Sequence, residues 1–285
     1  MVTAITWAVA VILFKKSGEQ VHPIALNFFK DLLAVVLLIP TTFLFGETIF
    51  RDVTGRDYLI LFVSGAVGIG IADTLFFMSL NLLGASLIAV VDCLYSPFVI
   101  ALSLIFLGEK LGVFQILGVA MIISAVLTVS QPKARAGISR RNLILGISFG
   151  VLAMAANAAG IVIVKPLLER SPLIWVTEMR LLSGVIILAA ILFLHPARRR
   201  ILLSLNAVGS WPYTLLGSFF GAYLSMVFWL GGMKFTQASV SASLNQISNV
   251  FVFILAAIFL KETINGQRVM AIILAVAGAI IVTFG

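Results

Sequence analysis

Apolar runs recur along the whole chain, separated by short polar breaks. They are Met1 to Phe14, Ile24 to Phe45, Tyr58 to Leu80, Ala85 to Leu107, Val113 to Val129, Leu143 to Val164, Ile174 to Leu194, Trp211 to Met233, Ala238 to Leu260 and Val269 to Phe284. A hydrocarbon core is crossed by about 20 apolar residues in a helix, so each run reads as one span. The first has 14 residues, worth about 21 Å of helix against a core of about 30 Å, and a turn or two upstream of Met1 is expected. The longest loop, Ser130 to Asn142, is basic, contains Pro132 and Gly137, and reads as a linker. The pattern predicts an all-α membrane protein of ten transmembrane helices.

The runs also repeat. Ala85-Ser86 answers Ala238-Ser239, Ile105-Phe106-Leu107 answers Ile258-Phe259-Leu260, and Glu109 answers Glu262, all at an offset of 153 residues. In the early helices the offset is 150, matching Lys15 to Lys165 and Lys30 to Arg180. The repeat divides the chain into a first five-helix unit (1–130), a basic linker (131–142) and a second five-helix unit (143–285). Because five is odd, the second copy enters the membrane from the opposite side. That is the inverted-topology repeat of alternating-access carriers.

Composition agrees and excludes other classes. The chain is 61% hydrophobic and 11% charged, whereas a soluble domain is about half apolar and a quarter charged. Apolar runs along the full length rule out a single signal peptide as their source. The net charge of +8 falls in short loops, where orientation and lipid headgroups explain it without nucleic acid. Cys93 is the only cysteine, so it reads as a packing residue rather than half of a disulfide or part of a metal cluster. His22 and His195 each precede a proline, no HExxH helix or GxxxxGK[ST] loop occurs, and neither a cofactor nor a bound metal is expected.

Candidate chemistry lies inside the spans. Asp73 and Asp92 sit at similar depth on either side of the turn between the third and fourth runs, too deep and too short to reach the headgroups. Intramembrane acids generally face a partner or a water-filled pathway. Lys30 falls near the same depth, and a lysine among carboxylates makes either a proton-coupling device or a cation site. Lys30, Asp31, Glu178 and Arg180 are also close enough to helix ends for snorkelling to explain them. Asn245 occupies the place of Asp92 in the second half, with Gln246 and Asn249 nearby, and its amide suits either a polar solute or an interhelical bond. Pro97 should kink the fourth helix just past Asp92. Trp7, Tyr95 and Tyr223 lie inside spans and suit a cavity wall or the core, whereas Trp175 and Trp211 at span ends read as interface anchors. The pairs Gly146/Gly150 and Gly217/Gly221 read as packing faces.

The doubled unit, Trp7, the basic residue early in the second helix of each half (Lys30 and Arg180), Ser96-Pro97-Phe98, and the Leu107-Gly108-Glu109-Lys110 turn together resemble the EamA-type branch of the drug/metabolite transporter superfamily. The resemblance covers nearly the whole chain. It implies a ten-helix basket in a bacterial-type cytoplasmic membrane that exports a small metabolite or drug through a central cavity. Val250 stands where the first half has Pro97, and Asn157 where it has Trp7. A secondary carrier, with protons as one coupling ion and lipids as surroundings, is the expected function; a membrane-embedded enzyme or a channel using the buried carboxylates is the alternative. Orientation is contested. The end of the bundle carrying the loop after the first helix has 11 Lys and Arg against 6 at the other, which puts both termini outside, whereas the resemblance implies cytoplasmic termini.

Overall fold

The computed structural model describes residues 2–108, 112–129, 138–207 and 209–284. These form α1 (Val2–Ser17), α2 (Pro23–Leu44), α3 (Gly55–Leu83), α4 (Ala85–Phe106), α5 (Val113–Val129), α6 (Arg140–Arg170), α7 (Leu173–Leu194), α8 (Trp211–Phe235), α9 (Ala238–Phe259) and α10 (Gly266–Phe284). A short helix, Arg198–Leu203, lies between α7 and α8. Seven helices, α2, α3, α4, α6, α7, α8 and α9, are long and apolar enough to cross a membrane. The protein is therefore an all-α membrane protein with, among the described residues, seven long apolar spans and shorter apolar helices beside them.

Several helices outrun their hydropathy, α1 and α6 through side chains that can be named. α1 ends at Ser17 rather than Phe14, because Lys15 turns inward and its ammonium reaches the Asn81 carbonyl at 3.3 Å. α6 runs from Arg140 to Arg170 rather than from Leu143 to Val164. Ser139 caps its start, accepting the Asn142 N–H. Lys165 near its end donates to the Met233 and Thr236 carbonyls at 2.5 and 2.8 Å. Each lysine thus satisfies carbonyls at the end of a neighbouring helix, which have no partner within their own helix. Most of the linker, from 130 to 137, and the Glu109-Lys110 part of the turn after α4 lie outside the described residues.

The halves share their irregularities. α3 widens into a π-helix over Ala66–Ile71 and α8 over Phe219–Ser225, two starts 153 residues apart. Such a turn leaves backbone groups in need of partners. In α3 the Asn27 amide meets them, donating to the Ile69 and Gly70 carbonyls at 3.1 and 3.0 Å. α4 breaks at Cys93 and Leu94, where Pro97 has no N–H for the Cys93 carbonyl. α9 breaks at the corresponding Gln246 without a proline. There side chains hold the bend, with Ser248 Oγ donating to the Asn245 carbonyl at 2.7 Å and Asn249 Nδ2 to Gln246 Oε1 at 2.7 Å.

Packing follows the same plan. α2 lies on α7, and α5 on α10; α3 packs on α6 as α8 packs on α1, and α4 packs on α6 as α9 packs on α1. Exchanging the halves leaves these pairings unchanged. At one end of the bundle Ser17 and Thr214 hydroxyls meet at 2.6 Å, and Glu262 accepts the Ala85 and Ser86 N–H groups at 2.6 and 2.9 Å. A carboxylate there satisfies orphan donors at the start of α4. Gly84 makes the turn possible, with φ of +82° and no side chain to displace Glu262. His22, at the start of α2, accepts the Ile24 N–H through Nδ1. Burial, with His195 nearby, holds its pKa below the ordinary histidine value, which keeps that nitrogen free to accept. At the other end Trp175 is fully buried, donating to the Ile49 carbonyl at 2.9 Å and packing edge-on to Tyr58. It is a core residue rather than the interface anchor expected; Trp211 is 44% exposed.

The glycine pairs are packing faces, Gly146 against Leu83 and Gly217 and Gly221 against Phe14. One close crossing is α3 on α6. A methyl added at Gly160 would stand 2.7 Å from Gly68 Cα and 2.9 Å from the Ser64 carbonyl, both backbone atoms that cannot step aside. Gly160→Ala should therefore cost about 1–3 kcal/mol as the helices part. Gly231→Ala, which meets only the flexible end of Leu173 at 3.4 Å, should cost nothing measurable. Thermal unfolding of the purified protein in detergent compares them, and equal melting would refute the close crossing.

Candidate functional site

The charges of α2 and α7 face inward. Lys30, Asp31, Glu178 and Arg180 are all buried, Arg180 and Asp31 completely, so snorkelling does not account for them. Each finds polar company in the interior instead. Lys30 forms ion pairs with Asp31 and, at 2.8 Å, with Asp73. α2 and α3 are tied by that ammonium. Glu178 accepts the Thr42 hydroxyl at 2.6 Å. Arg180 donates from Nε to Ser64 Oγ at 2.8 Å, Ser64 donates onward to the Gly160 carbonyl, and the guanidinium lies 5.8 Å from the Trp229 ring centroid.

A chamber separates the halves, with about 630 Å³ of space free of atoms when the open solvent at its mouth is included. Trp7, Lys30, Asp73, Asp92 and Tyr95 line it from the first half, and Met154, Asn157, Met226, Trp229 and Asn245 from the second. It extends past Thr3, one turn into α1, toward the end of the bundle where α1 begins. The opposite end is shut. Phe14 packs edge-on to Phe77 at 5.0 Å, and Gly217 and Gly221 let α8 close over its ring.

The walls are built from repeat-equivalent positions. At the two offsets Trp7 corresponds to Asn157, Asp73 to Met226, Asp92 to Asn245 and Lys30 to Arg180. The first half supplies acids where the second supplies an amide and a thioether, so the cavity is electrostatically lopsided. Among the expected candidates, Arg180 and Asn249 are not on the wall. Arg180 stands behind Trp229, and Asn249 behind Asp92, beside which it lines a smaller hollow and reaches Cys93 Sγ at 3.4 Å. Tyr223 faces α2 and meets the Thr41 hydroxyl at 2.9 Å, away from the cavity. Trp229, Met154, Met226 and Thr3 escaped the sequence reading. The repeat could have found Trp229, since its counterpart Phe76 packs against Trp7 at 5.8 Å.

No group of three or more His, Cys, Asp and Glu suited to a metal occurs among the described residues. The arrangement offers a partly aromatic, charge-lined chamber for a small solute, closed at one end and approached from the other.

A sequence model of the EamA-like transporter family matches residues 1–131 and 144–284. An uncharacterized transporter of Archaeoglobus fulgidus is 27% identical over 283 residues, covering 95% of this chain and 92% of that protein. Another, of Clostridium kluyveri, is 23% identical over 284 residues, covering 99% and 90%. Protein PecM of Dickeya dadantii is 24% identical over 226 residues, covering 78% and 72%. A solved crystal structure aligns over 99% of this chain and 96% of its own with a TM-score of 0.72 at 17% identity, a likeness of fold.

Removing Lys30 would leave the buried Asp31 and the part-exposed Asp73 without a counter-ion. Lys30→Met should cost about 3–5 kcal/mol of stability, and the triple change with Asp31→Asn and Asp73→Asn should recover most of it. Thermal unfolding in detergent checks both; a triple variant no more stable than Lys30→Met would show that the ion pairs do not set the loss.

Proposed function

The chain belongs to the EamA-like transporter family of the drug/metabolite transporter superfamily, and from that premise we propose that it is a secondary carrier working by alternating access. Its ten helices form two inverted five-helix units, 1–130 and 143–285, in a bacterial-type cytoplasmic membrane. The observation that carries this reading is the chamber between the halves, sealed at one end by Phe14 and Phe77 and open toward the other. The exchangeable packing plan supports it. α3 stays closed on α6 from Ser64 to Ser79, whose hydroxyls bond the Gly160 and Gly146 carbonyls. Its counterpart pair, α8 and α1, meets at the Phe14 end and lines the chamber beyond it. Exchanging the two arrangements would close one mouth and open the other, the rocking of repeats around a fixed site.

With the termini in the cytoplasm, this conformation opens inward, the side from which an exporter takes its solute. Asp92 and Asp73 couple that movement to protons, with Lys30 biasing their charge. Asn245 and Asn157 orient the solute from the second half. A reporter fused to the C-terminus should be active only in its cytoplasmic form; activity in the external form would put the open mouth outside.

If the Ser17 and Thr214 contact is a gate, a disulfide there should arrest the cycle. Ser17→Cys with Thr214→Cys, in a Cys93→Ala background, should lose flux in proteoliposomes on oxidation and regain it on reduction. Flux that persists through the cross-link would end alternating access at that mouth. Asp92→Asn should keep exchange while losing uphill flux driven by a pH gradient. Wild-type pH dependence in that variant, normalised to folded protein, would end the coupling role.

A further inference from the structure

Acceptors outnumber donors where α2, α3 and α7 meet. Asn27 and Asp31 are fully buried and stand one helical turn apart on one face of α2. The Asn27 amide nitrogen turns to α3, bonding the Ile69 and Gly70 carbonyls and Thr74 Oγ1 at 3.1, 3.0 and 3.0 Å. Its oxygen, Oδ1, has no hydrogen-bond partner among the described residues. Asp31 gives Oδ1 to Lys30, while its Oδ2 is equally without a partner. A methyl added at Gly184 of α7 would stand 3.5 Å from that Oδ2 and 2.9 Å from Ile69 Cγ2. Both orphan oxygens therefore border the widened turn of α3. Buried oxygens are nearly always paired, and two acceptors cannot satisfy one another, so what joins them brings positive charge or protons to donate.

Charge decides between a cation and a water molecule. Lys30 serves two acids, Asp31 and Asp73. Around the chamber Lys30 and Arg180 stand against Asp31, Asp73 and Asp92, one acid too many. Water would fill the hydrogen bonds but leave that surplus in the interior, whereas a monovalent cation answers both needs. A divalent ion asks for more carboxylates than this junction offers. Ligands that are all oxygen suit a hard ion, and unwound backbone inside a membrane presents carbonyls to such ions. In the second half the places of Asn27 and Asp31 fall to Thr177 and Leu181, and the Thr177 hydroxyl returns to the Leu173 carbonyl at 2.8 Å. The device belongs to one half only.

We propose that this junction binds a sodium ion, with Asp31 Oδ2 and Asn27 Oδ1 as its side-chain ligands and the carbonyls of the widened turn beside them. Asp31 is wholly enclosed, so the ion sheds water and a small ion fits better than potassium. Lys30 and Asp73 line the chamber, and the ion enters past them to a place behind the wall, apart from any solute. There it fastens α2 to α3 and α7. The inference is independent of the carrier reading, because it concerns binding alone.

The test melts the purified full-length protein in detergent with equal concentrations of sodium, potassium or choline chloride, and measures bound radioactive sodium by equilibrium dialysis. Sodium should raise the melting temperature by about 2–4 °C over both other salts. Dialysis should find one sodium per chain. Asp31→Asn leaves Asp73 as the counter-ion of Lys30, so the variant should fold while losing both the shift and the bound sodium. Asp73→Asn keeps both side-chain ligands but removes a unit charge, and should weaken sodium binding about tenfold. A bridging water would be indifferent to that change. Equal melting in the three salts, potassium as effective as sodium, a sodium response kept by Asp31→Asn, or unchanged sodium affinity in Asp73→Asn would each overturn the proposal. Should Asp31→Asn fail to fold, dialysis of the unaltered protein still decides, since no bound sodium there refutes the site.

Discussion

An ammonium held between two carboxylates in the interior fixes how the first half is assembled. Ionised groups lose their hydration when buried, and that loss is tolerable only where opposite charge and hydrogen bonds replace water. Lys30 meets the condition with Asp31 and Asp73, and in doing so ties α2 to α3 at the depth of the cavity. The widened turn of α3 stands beside this junction, with the Asn27 amide on its carbonyls and on Thr74 Oγ1. Position, charge and backbone irregularity are therefore one arrangement. Asp73 reaches the chamber as part of it.

Close packing complements that electrostatic tie. Lipid offers no hydrophobic gain for pressing apolar helices together, so association depends on small residues and polar contacts that let backbones approach. α3 and α6 meet in this way through Gly68 and Gly160, with Ser64 bridging to the Gly160 carbonyl. α1 and α8 use another device, a bulky Phe14 seated on Gly217 and Gly221. One contact is a seam along much of a helix and the other a plug at one end. The chamber exists because two equivalent helix pairs are packed differently.

Much of this could be read from the chain, for reasons that can be named. Hydropathy marks spans because every buried backbone group must find a partner within its helix, and the offset of 153 was visible in side chains that repeat. The pairing of Lys30 with an intramembrane acid followed from depth alone. Four things were hidden. The inward turn of Lys15 and Lys165 depends on neighbouring helix ends that no local pattern reveals. Trp175 looked like an anchor because it lies near a span end, but Glu47 and Ile49 fold over it, accepting its backbone N–H and indole N–H. Tyr223 lies on the face of α8 toward α2, a rotation that the widened turn of Phe219–Ser225 alters relative to an ideal helix. Arg180 stands behind the wall and not on it, because Trp229 intervenes from α8.

The widened turns also bear on history. A π-helical turn holds one residue more than the α-helix it interrupts, so a single inserted residue in an ordinary helix is enough to make one. Two such turns stand 153 residues apart, at Ala66 and Phe219, inside halves whose side chains have otherwise diverged as far as Asp73 and Met226. The economical account places one insertion in the ancestral gene segment before it was duplicated, with both descendants inheriting it. The irregular backbone would then be older than the charges that now distinguish the two halves.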